Sequence, residues 1–145
     1  MNEKDIAIIS SLRGDARMAL TEISKKTQIP VSTIFDRLKL HEKTVIKKHT
    51  SIVDFEKMGY NSKTVMVLKT KYDKRVLLKD YLESHNNVNN LYITNSGYDF
   101  MIETVFRNQK ETQDFVDEIE RHFELQEVKA YNIIEDVHRE KFLSP

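Results

Sequence analysis

The chain has 145 residues, 39% hydrophobic and 32% charged, and its 23 basic and 23 acidic side chains cancel to a net charge of zero. That length suits one ordinary domain or two small ones, and two small cores would each be marginal enough to need oligomerisation. Without cysteine there is neither a disulfide framework nor a thiolate metal site, and His41, His49, His85, His122 and His138 show no ligand spacing, so no metal and no cofactor are expected.

The first helical pattern runs from Glu3 to Leu12, with Ile6, Ile9 and Leu12 on one face and Ile8 widening it, and Gly14-Asp15 reads as its stop. A second helix is expected from Leu20 to Thr27, burying Leu20 and Ile23. A third begins near Pro30, whose missing N–H is not needed in a first turn. If Ile34 and Leu38 form its inward stripe, the helical wheel turns Ser32, Asp36 and Lys39 outward and leaves Thr33 and Phe35 on the flanks. A basic, β-prone stretch follows, through Lys47 and Lys48 into a strand at His49 to Val53, and Asp54 to Tyr60 reads as a turn punctuated by Gly59.

After residue 62 the period changes. Thr64 to Thr70 reads as a strand with a nearly continuous apolar centre. Lys74 to His85 reads as an amphipathic helix burying Leu77, Leu78, Tyr81 and Leu82. Leu91 to Thr94 is a strand, Asn95 to Asp99 a turn, and Phe100 to Phe106 another strand. Phe115, Val116, Ile119 and Phe123 stripe a helix, and Val128 to Ile134 closes as a strand. The order βαββαβ is the split βαβ arrangement, with both helices on one face of a four-stranded antiparallel sheet. No helix remains for the other face, where Val65, Val67, Tyr92, Tyr131 and Ile133 would lie, so a homodimer is expected from that accounting alone. No apolar run nears the roughly 20 residues of a bilayer span, and the start of the chain lacks a secretory pattern. A cytoplasmic location with no membrane contact is expected.

Three short helices followed by a basic β segment make the skeleton of a winged helix-turn-helix, in which two helices hold a third so that its outer face can enter a major groove. Small polar residues at its start, Ser32 and Thr33, allow close approach to phosphates or base edges. Arg37, Lys39, Lys47 and Lys48 stand where flanking phosphates would lie. The charge split agrees: residues 1–60 hold 11 basic and 8 acidic side chains, a net of +3, and residues 61–145 hold 12 and 15, a net of −3. Asp36 can accept from a cytosine amino group or serve a helix ion pair with Lys39. Phe35 can meet a thymine methyl or pack against the linker, the latter being slightly favoured.

From Asp5 to the carboxyl end the chain resembles the Lrp/AsnC group of transcriptional regulators. The matching pieces are "KDIAIISSL", "ARMALTEISKKT", "VSTIFDRL", "TVIKKHTSIVDFEKMGY", "GYDFMIETVF" and "YNIIEDVHREKFLSP". The resemblance implies an α+β chain with two domains. Residues 1–60 would be a winged helix-turn-helix with a linker strand, and residues 61–145 a ferredoxin-like domain that dimerises through its sheet and often assembles into octamers. It also implies double-stranded DNA as partner and an amino-acid effector held near Thr94, Asn95, Ser96, Gly97, Tyr98 and Asp99, a turn that backbone geometry alone would also explain. The chain departs from the family pattern in several places. Ala19 stands for a Ser or Thr cap, Gln28 for a Gly, Pro30 for a Ser, Thr44 for a Gly, and His41 for an apolar residue.

No nucleophile–base pair, carboxylate pair or phosphate loop stands out, and three glycines leave no Gly-rich cradle, so no catalytic residue is nominated and no enzyme is expected. Two other functions stay open. One is an effector-binding or assembly module with a vestigial head. The other is a tetrapyrrole decarboxylase on the same fold, which would need a dense basic and aromatic cluster, whereas Arg107, Arg121 and Arg139 are spread along the second domain.

Overall fold

A computed structural model describes all of residues 1–145. Its internal contacts gather into two compact units, Met1–Ile52 with Asp136–Pro145, and Val53–Glu135.

The first unit is built on helices α1 (Glu3–Gly14), α2 (Leu20–Thr27) and α3 (Val31–Thr44). Asn2 and Asp5 open α1 with a reciprocal capping box: the Asp5 N–H donates to Asn2 Oδ1 at 2.9 Å and the Asn2 N–H to Asp5 Oδ2 at 3.1 Å. The expected inward face of α1 is rotated. Asp5, Ile8 and Ser11 are its buried residues, while Ile6 is 42% exposed. The core is small, made of Ile8, Ile23, Ile29 and Ile34, with Leu12, Met18 and Leu20 packed against it. Burial of each such isoleucine is worth about 1.5–3 kcal/mol. Between α2 and α3 the chain turns at Gln28, in the left-handed region at φ 60°, and Ser24 Oγ donates to the Ile29 carbonyl at 2.6 Å. Pro30 precedes the first helical residue of α3 rather than standing within its first turn. The terminal segment returns to α1, where Arg13 donates to the carbonyls of Glu140 and Phe142 and pairs with the Glu140 carboxylate.

No strand forms at His49–Val53. A β-branched run has strand character only where a neighbouring strand takes its N–H and C=O groups, and none lies beside this one.

The second unit carries β1 (Ser62–Lys69), α4 (Arg75–Ser84), β2 (Val88–Ile93), β3 (Phe100–Phe106), α5 (Gln109–Phe123) and β4 (Glu127–Asn132). The sheet is antiparallel throughout, in the order β2-β3-β1-β4. Burial alternates along β1: Ser62, Thr64, Met66 and Leu68 are buried and Lys63, Val65 and Val67 only partly so. Its apolar centre therefore serves two faces. Met66, Leu68, Phe100, Ile102 and Phe106 meet Leu78 and Leu82 of α4 and Phe115, Val116 and Ile119 of α5 in one core. Leu77, expected inside, is 56% exposed. In register, Val67 opposes Met101, Met101 opposes Tyr92, and Val65 opposes Tyr131, which gathers these side chains on the opposite face. Neither helix covers that face, and Tyr92 and Tyr131 are each 57% exposed.

Candidate nucleic-acid interface and ligand cleft

The orientation of α3 is set by its inward stripe. Ile34 and His41 are buried and Leu38 is half-buried, at spacings of four and three residues. The stripe is partly polar. His41 Nε2 lies 2.8 Å from Asp5 Oδ1, and Arg37 Nε lies 3.3 Å from the same oxygen. This cluster ties α3 to the first turn of α1. The hydrogen bond from the Asn2 N–H, and then those of His41 with the Arg37 charge, hold the Asp5 carboxyl below the usual range against the opposing effect of burial. With Nε2 donating to Asp5, His41 Nδ1 stays buried without a partner.

The other side of α3 faces outward. Ser32, Phe35, Asp36 and Lys39 are exposed, and Thr33 is half-buried in the first turn. Lys39 Nζ sits 4.5 Å above the Phe35 ring, which stays 46% exposed. No ion pair joins Asp36 to Lys39. The lysine caps the aromatic face, a cation–π contact, and the carboxylate points to open solvent. No side chain caps the start of α3, and its first turn holds no acid. That end therefore offers N–H groups and a partial positive charge to an anion. Lys47 and Lys48 are exposed on the segment that follows. Arg37 differs from these cations because its guanidinium turns toward Asp5.

A cleft of about 710 Å³ opens in the second unit between the β2–β3 turn and the start of α4. Thr94, Asn95, Gly97, Tyr98 and Asp99 all line it, and Ser96 does not. Gly97 adopts φ 91°, a conformation that the turn requires and that suits glycine. Asp99 organises the turn. Its Oδ2 accepts from the Thr70 N–H at 2.8 Å, its Oδ1 meets Arg75 Nη2 at 2.7 Å, and its own N–H donates to the Leu68 carbonyl at 2.8 Å. Sequence spacing gave no sign of Lys69, Arg75 and Lys79, which line the same cleft from the end of β1 and from α4. Nor did it couple Asp5 with His41, although His41 stood out as a polar residue at an apolar position.

Residues 1–40 match a family model described as winged helix-turn-helix DNA-binding. The chain is 35% identical to the HTH-type transcriptional regulator FL11 of Pyrococcus horikoshii over 118 residues, covering 81% of this chain and 78% of that one. Its fold is similar to that of E. coli AsnC, with a TM-score of 0.82 at 21% identity over 96% of this chain and 95% of that one. It is also similar to that of the transcriptional regulator NMB0573 of Neisseria meningitidis, solved as a complex with L-Met. There the TM-score is 0.86 at 15% identity over 96% of this chain and 93% of that one.

Proposed function

This chain belongs to the Lrp/AsnC family of DNA-binding transcriptional regulators, and on that premise we propose that α3 is its reading helix, that it works as a homodimer, and that the cleft at the β2–β3 turn receives a small amino-acid-like effector. One observation carries the first part: the uncapped start of α3, with Ser32 and Thr33, shares an exposed surface with Phe35, Asp36 and Lys39. Backbone N–H groups and hydroxyls at that end suit a phosphate or a base edge, while Phe35 and Asp36 meet a thymine methyl and a cytosine amino group. Lys39, Lys47 and Lys48 then neutralise flanking phosphates. Arg37 acts through Asp5, holding the helix rather than the DNA.

Fluorescence-anisotropy titration of the full chain against duplexes selected from a random pool tests this reading. Lys39→Ala, Lys47→Ala and Lys48→Ala are each expected to weaken binding across sequences and to reduce the salt slope by about 1. Asp36→Ala is expected to relax preference at one base pair. Unchanged affinity and slope in all three lysine variants would falsify the assignment of this face.

The cleft is suited to an effector because five residues of one turn converge on it with hydroxyl, amide and backbone groups. The N. meningitidis neighbour was solved with an amino acid. The uncovered sheet face supports the dimer.

A further inference from the structure

We infer that the cleft selects a dicarboxylic ligand, an acidic amino acid or its oxo-acid counterpart, over neutral and basic ones. The inference rests on the effector-site reading above and adds the ligand's charge.

Three cations line the cleft, Lys69 at the end of β1 and Arg75 and Lys79 one turn apart on α4, against a single carboxylate, Asp99. Asp99 is only 8% exposed, and both its oxygens are engaged, one by Arg75 and one by the Thr70 N–H. No carboxylate is left to receive the side-chain ammonium of a basic ligand. The cations are less committed. Lys69 makes no ion pair, Lys79 reaches Glu83 only at 3.9 Å, and Arg75 gives Asp99 one nitrogen while its guanidinium lies 5.0 Å from the centre of the Tyr72 ring. Arg75 is thus held in place with other N–H groups still to donate, the arrangement that suits a planar carboxylate. A neutral ligand spends its one carboxylate and leaves at least one lysine unanswered; a second carboxylate answers it. Thr94 and Asn95 supply neutral oxygens for an ammonium or oxo group, and Val76 and Ile93 supply apolar surface for the methylenes between. At about 710 Å³ the cleft admits any amino acid, so size does not discriminate and charge does. The lysines are partly exposed, so screening keeps the expected preference near about tenfold.

Isothermal titration calorimetry on the full chain, with L-glutamate, L-aspartate, 2-oxoglutarate, L-methionine and L-lysine, tests the inference. The dicarboxylates are expected to bind about tenfold more tightly than L-methionine or L-lysine. Comparing L-glutamate with 2-oxoglutarate tells whether the ammonium is read. The double variant Lys69→Gln, Lys79→Gln is expected to weaken dicarboxylate binding about tenfold while L-methionine binding stays within about threefold. Should that variant melt early, Lys69→Gln alone, at an exposed position, gives the same test with a smaller loss. Equal or tighter binding of L-methionine or L-lysine, or undiminished dicarboxylate binding in the variants, overturns the selectivity and leaves the effector site standing. Absence of heat with all five ligands overturns both.

Discussion

Gln28 holds the turn between α2 and α3 at φ 60° and ψ 26°, a conformation costing a non-glycine residue about 1–2 kcal/mol. The side chain is exposed and no hydrogen bond of its own offsets that cost. Gln28→Gly is therefore expected to raise stability by about 0.5–1 kcal/mol, the larger backbone entropy of glycine in the unfolded chain taking back part of the gain. Chemical denaturation checks it as a higher midpoint at unchanged slope. Asp5 gives a second test through pH. Its folded-state carboxyl titrates below the ordinary value because of Asn2, His41 and Arg37. Its contribution is therefore complete above the unfolded pKa of about 4 and is lost as pH falls through the depressed folded value. Asp5→Asn is expected to flatten the fall in melting temperature below about pH 4 and to lower stability at neutral pH, where His41 and Arg37 lose their anion. Asp99 is the corresponding carboxylate tie in the second unit, joining Arg75 to the Thr70 N–H. Asp99→Ala leaves the buried Thr70 N–H without its acceptor and Arg75 without its carboxylate, and a loss of about 1–3 kcal/mol in unfolding free energy by chemical denaturation is expected.

Among the α-helices, α2 is the shortest, with eight residues and Ala19 at its N-cap, where no side chain reaches back to the first-turn N–H groups. Ala19 has the extended backbone of a capping residue, φ −65° and ψ 145°, so Ala19→Ser needs no rearrangement and is expected to add about 1 kcal/mol. A rise in melting temperature with unchanged DNA affinity is the outcome that checks it. The spans of α2 and β3 were legible in the sequence, because local patterns mark both: the Leu20 and Ile23 spacing ahead of the break at Gln28 to Pro30 for the helix, and a β-branched and aromatic run after a Gly-containing turn for the strand. The start of β2 was not legible. "NNVNNL" looks like loop, yet Asn87 Nδ2 donates to the Val105 carbonyl at 2.8 Å, and Asn89 and Asn90 both donate to Glu103 across the sheet. Asparagine that reads as a breaker locally becomes a cross-strand donor when β3 lies beside it. The cleft divides the same way. Its turn follows from Asn95, Gly97 and Asp99, but its cations come from Lys69, Arg75 and Lys79, which only the tertiary fold brings to that turn.

The proposed homodimer puts the open sheet face to use. Val65, Val67, Met101, Tyr92 and Tyr131 are contiguous by strand register and left uncovered by α4 and α5. An exposed apolar sheet face of this kind costs free energy in a monomer, and a second copy of the same face is self-complementary about a two-fold axis. Tyr131 stands opposite Val65 and is 57% exposed, so a charge there disturbs the face without disturbing the core beneath β1. Tyr131→Glu is expected to give a monomer of 17.1 kDa by light scattering, with the fold retained by circular dichroism. Its head would keep its contacts with one half-site but lose the effective concentration supplied by the second. A loss of about 100-fold in affinity for a two-half-site duplex is therefore expected, against little change for an isolated half-site. A dimeric Tyr131→Glu chain, or equal losses on both duplexes, would move the self-association surface away from the sheet and leave the DNA-binding assignment of α3 where it stands.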